Sequence, residues 1–327
     1  MGKIAQEAHI PAFLDRQVFR DAKIIAAVDE NGRMLNLVRS KYPEIRCYSS
    51  VDEMFEREDL DFIDICTPPG THAHMIEEGL KRGVHIICEK PFVLGAFDAE
   101  RLYPSIAGYQ KVFMPVHQYK YSPLWKAFKE EASRGTSGKN FIQFNVFRTE
   151  ADRGIASLNK GWRTDPELSG GGILSDTGVH YLYLSLWMLG EVRSITARAF
   201  SISHTEYSVE DTALVVLESE YGVAQISLTW GADRRHNSAC LVNSRSSLVY
   251  NGSELIRNFL SQSERIPVPD ASDKKNYISL YVSLVRDFLG QVNSGLKDNC
   301  RLDEAYKSIK LLDSCYRAAV TNRTITF

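Results

Sequence analysis

The lysine at position 90 combines a reactive side chain with a position where chemistry is done. Phe62 to Cys66 is a short run rich in β-formers, stopped by Thr67-Pro68-Pro69-Gly70, which is the pattern of a buried parallel strand. Thr71 suits the cap of the helix that follows, and Gly83 suits its end. Val84 to Cys88 reads as a second buried strand, and Glu89-Lys90-Pro91 comes directly after it. A charged pair there is not a core feature, because ligands of open α/β sheets bind at the carboxyl edge of the strands. Pro91 restricts the backbone of Lys90 and so helps to fix where its ammonium can act.

Asp176 and His180 form a second candidate pair. Their i, i+4 spacing puts both on one face of a predicted helix over 174–189 that is otherwise apolar. An ionisable pair on such a helix must be satisfied by partners or by a ligand. Taken alone, a D-x-x-x-H pair is more often structural than catalytic. Gly170-Gly171-Gly172 just before it lets the chain pass close to something, either packed backbone or a bound substrate.

The amino terminus carries part of a phosphate-binding loop. Gly2 and Ala5 fit the second and third small positions of G-x-G-x-x-G/A, with Lys3 and Ile4 between them. The first glycine and the strand that should precede it are missing. Ala22 to Val28 reads as a buried strand ending in Asp29, at an offset from Gly2 that suits a ribose-binding acid. The missing strand would lie between the strands near Lys23 and Phe62. Each unpaired backbone group there costs about 1–3 kcal/mol, so unless another segment fills the gap the chain is expected to be poorly soluble or free of cofactor.

The elements that must position these residues alternate helix and strand up to about residue 118, which implies a parallel sheet with helices on both faces. Phe141–Phe147, Ser194–Phe200, Thr212–Glu218 and Val223–Trp230 then alternate as half-exposed antiparallel strands, with helices over 277–294 and 303–319. The expected fold is α/β, with a Rossmann-type parallel sheet lacking its first strand, followed by an α+β domain with a largely antiparallel, open-faced sheet. Residues 1–120 form the dinucleotide-binding domain. Residues 121–327 form the substrate and oligomerisation domain, whose last helix packs back on the first.

Composition removes other classes. A length of 327 residues suggests two domains, and a net charge of −2 argues against a polyanion partner, so no nucleic acid is expected. No run of 18 apolar residues and no export signal is visible, which points to a cytoplasmic protein with no membrane partner. The six cysteines form no CxxC pair, and no His/Cys cluster, His72 with His74 included, has zinc spacing. They read as reduced thiols, and no metal is expected.

Glu89-Lys90-Pro91, TPPGTH at 67–72, HQYKYSP at 117–123, GWR and DPELSGGGILSDTGVH within 161–180, and DTALVVLE at 211–218 together resemble the Gfo/Idh/MocA oxidoreductases. The resemblance spans nearly the whole chain. It implies hydride transfer between a nicotinamide cofactor and a secondary hydroxyl of a sugar, polyol or sugar derivative. It also turns the reading of Asp176 and His180 towards catalysis. His180 would exchange the alcohol proton, Lys90 would donate to the same oxygen, and Asp176 would anchor a neighbouring hydroxyl. Gly2, Lys3, Ile4, Asp29, Thr67, Pro68, His72 and Glu89 would hold the cofactor, with Glu89 on the nicotinamide ribose and His72 equally readable as a helix cap. Asp29 favours NAD over NADP, and Arg33 relaxes that preference. Lys120, Trp162, Arg163 and Arg235 would line the sugar site, each equally readable as structural. Tyr183 departs from the family, where an aspartate is common. The family also implies a homodimer or homotetramer built through the second sheet. A sugar- or nucleotide-sensing regulator and a redox-assisted glycosidase with tightly held NAD are the alternative readings on the same fold.

Overall fold

The computed structural model describes residues 1–134, 138–155, 161–259, 262–268, 273 and 276–327. The chain begins with a π-helical turn, Ala5–His9, that runs into Ile10–Phe13; together they form α1. Next come β1 (Ala26–Val28), α2 (Gly32–Lys41), β2 (Arg46–Tyr48), α3 (Val51–Arg57) and β3 (Phe62–Ile65). They are followed by α4 (His72–Arg82), β4 (His85–Cys88), α5 (Ala96–Ala107) and β5 (Phe113–Pro115). Gly83 ends α4 at φ 72°, the left-handed cap that its sequence position indicates.

The parallel strands fall into two sheets, β1-β2 and β3-β4-β5. The division lies between β1 and β3, where the sequence pattern lacks a strand. Among the described residues neither strand pairs across this gap.

The second half contributes α6 (Pro123–Arg134), β6 (Asn140–Phe147), α7 (Pro166–Ser169), a π-helical turn at Leu174–Gly178 and α8 (Val179–Leu189). Strands β7 (Val192–Phe200), β8 (Thr212–Ser219), β9 (Gly222–Thr229), β10 (His236–Val242), β11 (Ser246–Tyr250), β12 (Glu254–Phe259) and β13 (Gln262–Pro267) follow. Helices α9 (Tyr277–Ser294) and α10 (Asn299–Thr321) and a short β14 (Ile325–Thr326) complete the chain. A nine-stranded sheet has the order β13-β12-β11-β10-β6-β9-β8-β7-β14. Only the β6–β9 pair in it is parallel. Strands β10 to β13 were not expected from the sequence, and of these β13 (QSERIP) has no apolar alternation.

One face of this sheet presents Ile142, Phe144, Val215, Ile226 and Leu241 to a core shared with α6, α8 and α9. The other leaves Phe141, Leu214 and Val242 exposed. Leu302, Ala305 and Ile309 of α10 lie in the same core as Ile86 and Leu102 of the first half. Among the described residues no helix is long and apolar enough to cross a membrane.

Candidate active site

Lys90 leaves the carboxyl end of β4 and reaches the start of the second π-helical turn, where its Nζ donates to the backbone carbonyl of Asp176. Arg163 Nε donates to Asp176 Oδ1 at 3.0 Å, and Thr177 Oγ1 donates to Oδ2 at 3.3 Å. The Arg163 guanidinium lies 4.3 Å from the centre of the Trp162 ring. Burial works against the Asp176 carboxylate, but Arg163 and Lys90 outweigh it and hold its pKa below the usual range. Burial pushes the pKa of the Lys90 ammonium down, against the pull of Asp176 and Glu89.

His180 sits on α8 one turn beyond Asp176. Its Nδ1 lies 3.0 Å from the Tyr183 hydroxyl, and its ring stacks on Tyr119 with centroids 4.3 Å apart. Nε2 has no protein partner among the described residues. Tyr183 is fully buried, stacks on His117 at 4.1 Å and accepts the Tyr119 N–H at 3.2 Å. Burial first, then Lys90, His117 and Arg148, hold the His180 pKa well below 6.5, so the ring is neutral.

The glycine run answers to packed backbone. A Cβ on Gly172 would lie 1.8 Å from the Glu210 carbonyl oxygen. One on Gly171, at φ 147°, would lie 1.9 Å from the Tyr316 hydroxyl. Glu210 also accepts the N–H groups of Gly172 and Leu174, which fixes the turn that carries Asp176. An open depression of about 510 Å³ beside this turn, lined by Pro166, Gly170, Phe200 and Tyr207, includes none of Lys90, Asp176 and His180.

At the carboxyl edge of the parallel strands, a Cβ on Gly2 would meet nothing within 4 Å. Asp29 follows β1, accepts the Asn31 N–H at 2.8 Å and pairs with the Met1 amino group. Lys3 Nζ lies 3.6 Å from Asp152, and Ile4 packs against the main core. Thr67 is exposed, beside half-buried Pro68. His72 is fully buried with Nδ1 2.9 Å from the Pro91 carbonyl and Nε2 2.8 Å from that of Thr67, so it ties the loop after β3 to the loop after β4. Glu89 turns inward, where Oε2 accepts the Lys90 N–H at 3.0 Å and Oε1 faces His9 and the Tyr281 hydroxyl.

Two family models match the chain. One, described as an oxidoreductase family with an NAD-binding Rossmann fold, covers residues 1–117. The other, the GFO/IDH/MocA C-terminal domain, covers residues 141–249. The chain belongs to the GFO/IDH/MocA oxidoreductase family. Among curated GFO/IDH/MocA relatives, D-apiose dehydrogenase of Paraburkholderia graminis is 28% identical over 210 residues, covering 63% of this chain and 53% of that protein. D-glucoside 3-dehydrogenase of Escherichia coli is 23% identical over 236 residues, covering 68% and 65%. The chain thus spans little more than half the length of the first of these relatives. Levoglucosan dehydrogenase, solved with NADH and levoglucosan, superposes with a TM-score of 0.85 at 16% identity, covering 100% of this chain and 97% of that one. An oxidoreductase from Agrobacterium radiobacter, solved with NAD+, L-tartaric acid and magnesium, gives 0.84 at 19% identity, covering 99% and 96%.

Within this GFO/IDH/MocA chain the structure gathers Lys90, Asp176, His180, Arg163 and Trp162 around the meeting of β4, the second π-turn and α8. Lys120 instead pairs with Glu304 of α10 and lies 5.3 Å from the Trp187 ring centre. Arg235 is an exposed residue at the start of β10. The sequence reading gave no role to Tyr119 or His117, although both lie in the HQY element. The i, i+3 spacing of His180 and Tyr183 was the signal for their contact.

Proposed function

We propose that this chain is a dehydrogenase that transfers hydride between NAD and a secondary hydroxyl of a sugar, polyol or sugar derivative. The observation that carries this reading is the convergence of Lys90, Asp176 and Arg163 beside a neutral His180 whose Nε2 has no protein partner among the described residues. The residues at the sheet edge fit a dinucleotide. The N-terminus of α1 with open space at Gly2 suits a pyrophosphate, and the Asp29 carboxylate suits a ribose diol and repels a 2′-phosphate. Thr67 and Pro68 line the same edge. The inward carboxylate of Glu89 gives no support to a direct ribose contact. It orients the Lys90 backbone instead.

Bound NAD supplies the hydride acceptor or donor. Lys90 donates a hydrogen bond to the substrate oxygen and stabilises negative charge as it develops there. His180 exchanges the hydroxyl proton at Nε2 while Tyr183 holds Nδ1. Asp176, fixed by Arg163, accepts from a neighbouring hydroxyl and orients the sugar, with the Trp162 ring beside it. Residues 1–120 serve the cofactor and 121–327 the substrate. The apolar open face of the nine-stranded sheet is the surface for a homodimer or homotetramer. Six free thiols suit a cytoplasmic enzyme.

The test is calorimetric titration with NAD+, followed by NADH formation across a panel of sugars and polyols. Substrate-dependent NADH is expected, with turnover at least about 100-fold lower in Lys90→Ala and NAD affinity little changed. NAD binding with no turnover on any substrate would favour the sensing reading. Full turnover by Lys90→Ala would remove the role given to that residue.

A further inference from the structure

Behind Glu89 lies a buried polar cluster that the reaction does not use. His9, at the end of the first π-turn, places Nδ1 2.7 Å from Asp64 Oδ2. Cys66, two residues along from Asp64 and leaving β3, has its sulfur 3.6 Å from Asp64 Oδ1. One ligand atom from each of the three residues lies within 4.8 Å of the others. The second nitrogen of His9 is 3.0 Å from Glu89 Oε1, which also accepts the Tyr281 hydroxyl. The Tyr281 ring packs on the His9 ring with centroids 4.5 Å apart.

We propose that His9 Nδ1, an Asp64 oxygen and the Cys66 sulfur form a site for one zinc-class divalent ion. Three features of the geometry point there. The donor set of imidazole, carboxylate and thiolate is the one zinc prefers, and three protein ligands leave a fourth position open to water. His9 offers Nδ1 to the cluster and turns Nε2 to Glu89, which is the carboxylate–histidine arrangement that orients metal-bound imidazoles, and Tyr281 holds that carboxylate in turn. Asp64 and Cys66 keep partial exposure, so an ion has a path in. Zinc–nitrogen and zinc–oxygen bonds of about 2.0–2.1 Å put tetrahedral N and O ligands roughly 3.4 Å apart. The Cys66 sulfur faces Asp64 Oδ1 at 3.6 Å and His9 Nδ1 faces Oδ2 at 2.7 Å, so the carboxylate must turn to offer one oxygen to the ion, and the Nδ1–Oδ2 contact must open where Oδ2 is the ligand.

The charges balance. Without an ion, the positive His9 ring offsets Asp64, and Cys66 is a neutral thiol. A divalent ion adds two positive charges and expels two protons, one from His9 Nδ1 and one from the Cys66 thiol. Two bonds to hydrogen break and the two bonds to metal that replace them form at the same atoms, with no electron transferred. The net charge of this buried region is unchanged. The ligands come from residues 9, 64 and 66 on two elements, so linear spacing could not show them. The ion would join α1 to β3, the strand whose outer edge has no partner among the described residues.

The chelator-stripped full chain, titrated with cobalt(II) chloride at pH 7.5, tests this. One equivalent should bind with a thiolate-to-cobalt charge-transfer band, about two protons should be released per ion, and zinc should abolish the band. Cys66→Ser should lose the band, and Glu89→Gln should weaken binding by about 10–100-fold. No charge-transfer band at one equivalent, or a band that persists in Cys66→Ser, overturns the site. Proton release near zero in the unmodified chain overturns it without reference to any variant. None of these measurements requires NAD or a sugar, so they stand apart from the dehydrogenase reading.

Discussion

An imidazole held by a phenol behaves differently from one held by a carboxylate. The Tyr183 oxygen accepts the Tyr119 N–H with one lone pair and can accept the His180 Nδ1–H with the other, which leaves Nε2 as the basic nitrogen, and no anion stabilises a doubly protonated ring. His180 is therefore expected to stay neutral well below its ordinary pKa of about 6.5. Nitrogen NMR of histidine-labelled protein should show its ring still uncharged at about pH 6.5, where a free imidazole is half protonated. A midpoint near 6.5 would contradict that environment. Tyr183→Asp restores an anion and should raise the His180 pKa, moving the acid limb of kcat/KM upward, while Tyr183→Phe should lower turnover without that shift. At this scale the sequence placed Lys90 at a strand end and Asp176 and His180 on one helix face, since those are local features, while the resemblance rather than the spacing pointed them to catalysis. It did not show that Glu89 and His72 turn inward. That depends on His9, Tyr281 and the carbonyls of Thr67 and Pro91, which come from other elements.

The π-turn at Leu174–Gly178 presents Asp176 to Lys90 because the chain before it can press against Glu210. Gly172 is the point of closest approach. Gly172→Ala should push the turn away, with an overpacking penalty of about 1–3 kcal/mol or more, and misplace Asp176. Urea unfolding should show a lower midpoint and the same m-value. An unchanged midpoint would mean that the turn has room to spare. The sequence indicated that these glycines meet something and left open whether it was backbone or substrate. Glu210 lies almost 40 positions downstream, so only the fold could decide. Helices α4 and α9 were legible to within a residue because caps and apolar periodicity are local. The polar strands β12 and β13 were not, because their pairing partners supply what their own pattern lacks. The gap between β1 and β3 was legible in a different way, as a missing piece of a known alternation.

Across the whole molecule, exposed Phe141, Leu214 and Val242 on one sheet face exceed what a solvated face needs, and light scattering at micromolar concentration should give a mass above one 37.0 kDa chain. A monomer mass would count against assembly through this face. The buried histidines set the response of the fold to pH. Burial lowers the pKa of His72, His117 and His180; Lys90 acts with it on His72 and His180, and Lys120 and Arg301 act with it on His117. The unfolded chain takes up protons at these sites below about pH 6.5, and the folded chain refuses them. Their contribution is thus present above that pH and lost as pH falls, at about 1.4 kcal/mol per pH unit for each fully engaged group. His9 runs the other way. Burial lowers its pKa, but Asp64 and Cys66 outweigh burial and raise it well above 6.5, so its contribution is complete below that pH and is lost as pH rises through the folded value. The two sets slope in opposite directions on either side of neutrality. In the metal-free chain, urea midpoints should therefore peak near pH 6.5–7 and fall towards both pH 5 and the alkaline side. His9→Gln should flatten the alkaline limb and leave the acid limb in place. A stability that rises steadily from pH 7 to pH 5 would mean that these rings are protonated in the folded core, and the neutral state assigned to His180 would fall with it.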